Sequence, residues 1–217
     1  YELNQDPKIL FNRAQAQLLA GRYEEGWRDY EARTQVAEYK SIFEWHQPRC
    51  RWQGQPFPGQ TLVVYHEQGL GDDLQFCRYL PYVKALGGRV VFSSRPPLIP
   101  VLSTMDGVDE VIDHSEAAFR TLRFQWAIPL MSLPGLCSTT LDSIPSQIPY
   151  LSVPTRQRPK WTALMAPYRS ERRQKNIGFV FSCNPASDSG ILRSCPFPLL
   201  SDLFSLPDTR WFSLQKG

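Results

Sequence analysis

The sequence predicts an α/β protein: a parallel sheet covered by helices, with a short helical hairpin before it and the start of a second α/β unit after it. Three observations predict this. Apolar residues fall at helical spacing through the first thirty or so positions; β-branched runs alternate with helical stretches from Thr61; and a second alternation begins at Ile177. Strands that alternate with helices pair in parallel, because each helix returns the chain to the same end of the sheet, and such a sheet is covered on both faces.

Length and composition narrow the function classes. A chain of 217 residues has room for one ordinary domain plus an appendage or part of a second domain. With 24 basic against 21 acidic residues, the net charge of +3 gives no electrostatic reason to expect nucleic acid or an anionic membrane as partner. The five cysteines (Cys50, Cys77, Cys137, Cys183, Cys195) are odd in number and lack C-x-x-C spacing, while His46, His66 and His114 are scattered rather than paired. Neither a disulfide framework nor a zinc site is expected, and reduced thiols point to a cytoplasmic protein. No apolar stretch approaches the ~20 residues of a membrane span. The chain opens at Tyr1 in polar sequence, without methionine or a signal-peptide pattern, so an N-terminal part is expected to be missing.

Residues 1–34 read as a helical hairpin. Asp6-Pro7 starts the first helix, Leu10, Phe11, Ala14 and Leu18 share a face, and Gly21 closes it. Tyr23, Trp27 and Tyr30 then line one face of a second helix. The run from Leu18 to Tyr30 resembles the turn and second helix of a tetratricopeptide repeat, with Gly26 where that family usually has alanine. An isolated repeat cannot bury its apolar face, so it must pack on something else, and a protein partner through the hairpin is one possibility. Residues 35–60, rich in Trp, Pro, Gly and Gln, read as a linker held down by its aromatic residues.

Residues 61–154 form the α/β unit. The expected strands are 61–65, 89–93, 110–113, 124–130 and a short last one at 150–153. The expected helices cover 72–86, bent at Pro81, and 97–105. Residues 155–176, with Pro159, Pro167 and a basic cluster, read as an interdomain connection and a solvated one. Residues 177–217 then begin a second unit: a strand at 177–182, a helix at 197–206 and a strand at 211–214. Two strands and one helix make a poor core, so this unit is expected to be incomplete.

The most informative segment is Glu67-Gln68-Gly69-Leu70-Gly71-Asp72-Asp73, where the first strand hands over to the first helix. Ligands of open α/β sheets bind outside the carboxyl ends of the strands. Glycines let the backbone approach a ligand, and the helix start offers unpaired amides. Asp72 or Asp73 would present a carboxylate there. Asp72 has two readings at this point: a helix cap, which aspartate serves well, or a general base. A third reading is a dinucleotide site, since Gly69-x-Gly71 follows a strand. Leu74 replaces its third glycine, however, and Ser93-Ser94-Arg95 closes the second strand without an acidic residue, which would suit NADP at best.

The order Trp52-x-Gly54, Gly59-x-Thr61-Leu62, Glu67-Gln68-Gly69-Leu70-Gly71-Asp72, Arg78-Tyr79-Leu80-Pro81, Ser132-Leu133-Pro134 and Pro149-Tyr150-Leu151 resembles that of bacterial tetratricopeptide-repeat proteins. The C-terminal part of those proteins is similar to ADP-heptose:lipopolysaccharide heptosyltransferases. Asn184-Pro185, Arg193-Ser194 and Ser213-Leu214-Gln215-Lys216-Gly217 continue the likeness. The resemblance implies a GT-B fold built of two Rossmann-like halves and an inverting sugar transfer. The acceptor, a glycan or a protein hydroxyl, would lie against the first half and the nucleotide-sugar against the second.

On this resemblance Asp72 is the catalytic base, with Glu67, Gln68, Gly69, Gly71 and Gln75 around the substrate. Arg193 would contact the donor phosphates, with Ser182, Asn184 and Lys216 beside it. The loop 186–192 is less polar and charged than the family pattern. No Asp-x-Asp motif, His/Cys cluster, nucleophile elbow or Walker sequence is present, so no metal and no cofactor beyond the donor is expected. Because the donor half is read as incomplete, the chain is expected to be a truncated copy with little turnover alone. The competing expectation is a protein-interaction module whose α/β part is inactive.

Overall fold

The computed structural model describes residues 6–43, 50–169, 174–183, 190 and 192–215, and the chain divides into two compact units, Tyr1–Pro154 and Thr155–Gly217. In the first unit Asp6 caps α1 (Pro7–Leu19), its carboxylate accepting from the Lys8 amide at 2.8 Å. Gly21, at φ +78°, turns the chain into α2 (Tyr23–Tyr30). The two helices come so close that a Cβ on Gly26 would stand 2.7 Å from Leu18 Cδ2. That approach explains a residue which otherwise weakens a helix by about 1 kcal/mol. Phe11, Ala14, Tyr30, Val36 and Met131 close a small core over the pair.

After α3 (Lys40–Phe43), Trp52 and Phe57 are buried with their rings edge to face at 5.8 Å, and they hold down residues 50–60. Next come β1 (Thr61–Tyr65), α4 (Leu70–Phe76), α5 (Leu80–Lys84) and β2 (Arg89–Ser94). They are followed by α6 (Ile99–Leu102), β3 (Glu110–Asp113), α7 (Glu116–Thr121), β4 (Trp126–Pro129) and α8 (Leu133–Leu136). All four strands are parallel, in the order β3-β2-β1-β4. The period of two in β1 sorts the core onto two faces. Leu62 and Val64 join Phe92, Leu80, Val83, Leu102 and Ile128 on one face, whereas Val63 and Tyr65 join Val91 and Ala127, with Phe119, on the other.

Several elements differ from expectation. The helix expected over 72–86 is two helices joined by a 3-10 turn at Cys77–Tyr79. Pro81 sits in the first turn of α5, where its missing amide is harmless, so it starts a helix rather than bending one. The helix at Glu116–Thr121 was not anticipated; Ser115 caps it by accepting from the Ala118 amide. Residues 150–153 form no strand. The Tyr150 hydroxyl holds that segment instead, donating to the Leu74 carbonyl at 3.0 Å and accepting from Arg78 Nη2 at 2.9 Å.

In the second unit, α9 (Arg158–Met165) lies inside the stretch read as a connection. β5 (Lys175–Phe179) pairs in parallel with β6 (Thr209–Ser213), and α10 (Ser201–Phe204) lies between them in sequence. Phe179, Phe181, Phe197, Phe204 and Trp211 form the packing of this unit, with ring centroids 5.2 to 5.9 Å apart. No helix among the described residues is long and apolar enough to cross a membrane.

Candidate functional site at the switch point of the sheet

The strand order makes the chain depart from β1 toward β2 and β3 and return on the opposite side at β4. The loops leaving β1 and β4 therefore diverge, and that divergence is where open α/β sheets hold their ligands. Arg33, from the 3-10 turn that follows α2, is inserted there. Its Nε donates to Glu67 Oε2 at 2.7 Å and its Nη2 to Glu67 Oε1 and Ser132 Oγ, both at 2.9 Å. Nη1 donates to the Tyr30 carbonyl and Glu31 Oε1. Every guanidinium N–H thus has an acceptor. Glu67 Oε1 also accepts from the Met131 amide at 2.8 Å, so one buried carboxylate ties the loop after β1 to the loop after β4.

The electrostatics follow from that enclosure. Burial works against the Arg33 charge, but Glu67 beside it more than compensates and the guanidinium is held more firmly protonated than usual. Burial pushes the Tyr30 phenol up to about 12; its ring lies 4.7 Å from the Arg33 guanidinium, and its oxygen accepts from Gln68 Nε2 at 3.0 Å.

The turn that follows β1 separates its acidic residues. Asp72, in the first turn of α4, is half-buried and accepts from the Gly69 amide through Oδ2 at 2.8 Å. A Cβ on Gly69 would crowd that oxygen at 3.1 Å. Asp73, by contrast, turns inward rather than toward the mouth of the crevice. Its Oδ1 meets His66 Nδ1 at 2.7 Å, and its Oδ2 accepts from Ser94 Oγ. A carboxylate against Nδ1 favours a proton on that nitrogen. His66 Nε2 is buried without a hydrogen-bond partner among the described residues. His46 lies outside the described residues, but the other two histidines are not scattered in space: the His66 and His114 rings stand edge to face at 5.5 Å, and Ser93 Oγ lies 3.0 Å from His114 Nδ1. Burial, and then the neighbouring His66, press the His114 pKa down to about 4.

The expected substrate-side residues are thus distributed unequally. Gly69, Gly71 and Gln75 are exposed on the turn and α4, and Gln68 is half-buried against Tyr30. Glu67 faces the interior, where it pairs with the buried Arg33. In the second unit, Ser182 is bracketed by Gln215, whose amide oxygen accepts from the Ser182 N–H at 3.0 Å. Arg193 is exposed, and its guanidinium makes no ion pair among the described residues. Asn184 and Lys216 lie outside the described residues.

A cleft of about 850 Å³ opens beside the β4 loop, bounded by α2, Arg51–Gln53 and residues 135–140. Glu31 stands in its wall, its two oxygens taken by Arg33 and Arg51. Trp27 also lines the cleft; its ring is edge-on to Tyr30 at 5.5 Å and to Phe76 at 6.1 Å.

Sequence reasoning missed Arg33, the pairing of His66 with Asp73, and the proximity of His114. For the histidines a signal existed. His66 directly follows β1, His114 directly follows β3, and Ser93-Ser94 ends β2, so parallel topology gathers them at one sheet edge. For Arg33 there was none, since nothing local distinguishes a buried arginine from a solvated one at the end of a helical hairpin.

No known family model matches the chain, and no solved structure matches it. It is similar to the protein FlbA of Caulobacter vibrioides, with 26% identity over 223 residues that cover 95% of this chain and 37% of that relative. The chain thus spans little more than a third of the length of the curated relative it matches.

Proposed function

We propose that the chain carries the acceptor-side Rossmann-like half of a GT-B-type glycosyltransferase and part of its donor-side half, preceded by a tetratricopeptide-like hairpin. The observation that carries this reading is the state of Asp72. Of the carboxylates in the turn after β1, Glu67 and Asp73 are enclosed with both oxygens bonded. Asp72 alone is half-buried and keeps Oδ1 outside the hydrogen bonds of the described residues. It sits at the carboxyl end of a central parallel strand, the edge at which such sheets act on ligands.

The proposed reaction needs one base. Asp72 accepts the proton of an acceptor hydroxyl as its oxygen forms a bond to the anomeric carbon. The bond from that carbon to the nucleoside diphosphate breaks, its electron pair leaves with the diphosphate, and the configuration inverts. Arg193 is the proposed cation for the departing phosphates, with Ser182, Asn184 and Lys216 as further phosphate contacts. No metal is required in this scheme.

A second reading is favoured by one specific observation: Arg33 and Glu67 fill the divergence between β1 and β4 and spend their hydrogen bonds on each other and on the protein. An interaction module whose α/β part no longer catalyses would look the same there. Nucleoside diphosphate release by the full-length natural protein, measured with a panel of nucleotide-sugars and mixed saccharide and peptide acceptors, separates the two. Acceptor-dependent release supports transfer. Its absence across the panel, with the protein folded, favours the interaction module.

A further inference from the structure

We propose that the cleft beside β4 is a binding site for a neutral oligosaccharide and, on the transfer reading above, the place where the non-reacting rings of the acceptor are held, since Asp72 lies outside its lining. Its position comes from topology. The cleft includes Ile128 of β4 and Ser132 of the following loop, and Ser132 is the residue that Arg33 ties to Glu67 of the β1 loop. The cleft therefore borders the switch point of the sheet, on the side that Arg33 leaves open. Its volume of about 850 Å³ lies within the ~300–1,000 Å³ of sites that enclose drug-sized ligands, which is room for two or three sugar rings.

The chemistry of the wall selects the ligand class. Glu24 and Glu31 are balanced by Arg28 and Arg51, so the site carries no net charge. With the charges cancelled, a phosphorylated or polyanionic ligand gains no net attraction there, and an acyl chain would strip water from all four charges. A sugar hydroxyl is both donor and acceptor, and this wall combines the Glu24 carboxylate with the guanidinia of Arg28 and Arg51 and the amides of Gln35 and Gln53. The half-buried indole of Trp27 offers an apolar surface to the C–H face of a pyranose ring. Its Nε1–H is a shielded donor with no partner among the described residues.

An extended peptide is disfavoured by the backbone. Arg51–Gln53 runs alongside β4, with the Trp52 amide bonded to the Ala127 carbonyl at 3.0 Å. Strand addition there would need the Gln53 amide, which Gln55 Oε1 already takes at 2.9 Å.

The test is binding of the intact protein to an array of neutral and acidic oligosaccharides, with calorimetry on any saccharide retained. Arg28→Ala and Gln53→Ala remove exposed cleft groups without touching the core, and thermal melting checks that both variants fold. The expected result is retention of at least one neutral oligosaccharide, bound about tenfold more weakly by each variant, as for loss of one charged or amide hydrogen bond. A blank array, retention of acidic glycans only, or a neutral ligand whose affinity ignores both substitutions overturns the proposal, as does a serine-containing peptide that competes for the same residues. Binding requires no donor. Retention without turnover by the full-length natural protein therefore leaves the cleft standing and removes the transfer reading, whereas turnover that ignores both variants does the reverse.

Discussion

Arg33 and Glu67, 34 positions apart, are joined by two parallel bonds of 2.7 and 2.9 Å, with side chains only 1% and 2% exposed. Through this pair the helical hairpin is wedged into the sheet at the divergence of its strands. The hairpin, unable to bury an apolar face alone, thereby acquires a fixed seat. The β1 and β4 loops acquire a common anchor.

Breaking one side of that pair should be costly. Arg33→Met leaves the Glu67 charge enclosed, and urea unfolding is expected to show a loss of about 3–5 kcal/mol. Arg33→Met combined with Glu67→Leu should recover much of it, because no uncompensated charge remains. A single variant within about 1 kcal/mol of the parent would mean that the pair is solvated in solution.

Stability should fall with acidity through His114. An unfolded imidazole titrates near 6.5, whereas burial holds the folded one at about 4. Between these values the unfolded chain binds more protons. Stability from this group is therefore complete above about pH 6.5 and declines as the pH falls toward 4. The decline should be on the order of 1–2 kcal/mol, below the full linkage value because the ring is only partly enclosed. His114→Gln should flatten that part of the profile, and parallel profiles for the two proteins would exclude the effect.

Cys77 should be the slowest thiol to react. It is buried beneath α5, and burial above all pushes its thiol up to about 12. Native labelling with iodoacetamide at pH 8 should modify the half-buried Cys183 and Cys195 well before Cys77. Equal rates would place Cys77 in a more open setting than its packing against Leu80 and Val83 allows.

The sheet was largely legible in the sequence because short apolar runs rich in β-branched residues, such as Thr61–Val64, favour a buried strand, and turn residues such as Gly87-Gly88 bound them. What escaped was local competition between structures. Pro81 and Gly69 reset the helix boundaries, and the bonds made by the Tyr150 hydroxyl replaced a ladder. In the site, the turn from Glu67 to Asp72 announced itself by composition. Which of its carboxylates faces outward did not, since that depends on partners (Arg33, His66, Ser94) brought from distant positions by the fold.

The central claim rests on Asp72, which is a helix cap in the structure and a base in the proposal. Asp72→Asn keeps an acceptor oxygen for the Gly69 amide, so the unfolding free energy should fall by no more than a cap is worth, about 1 kcal/mol. Its rate of acceptor-dependent nucleoside diphosphate release, measured in the full-length natural protein beside the parent, is the most direct test. Loss of a general base at Asp72 should lower kcat by about 10²–10⁴ at nearly unchanged stability. An asparagine variant that transfers sugar at the parental rate would leave Asp72 as a cap alone and contradict the account.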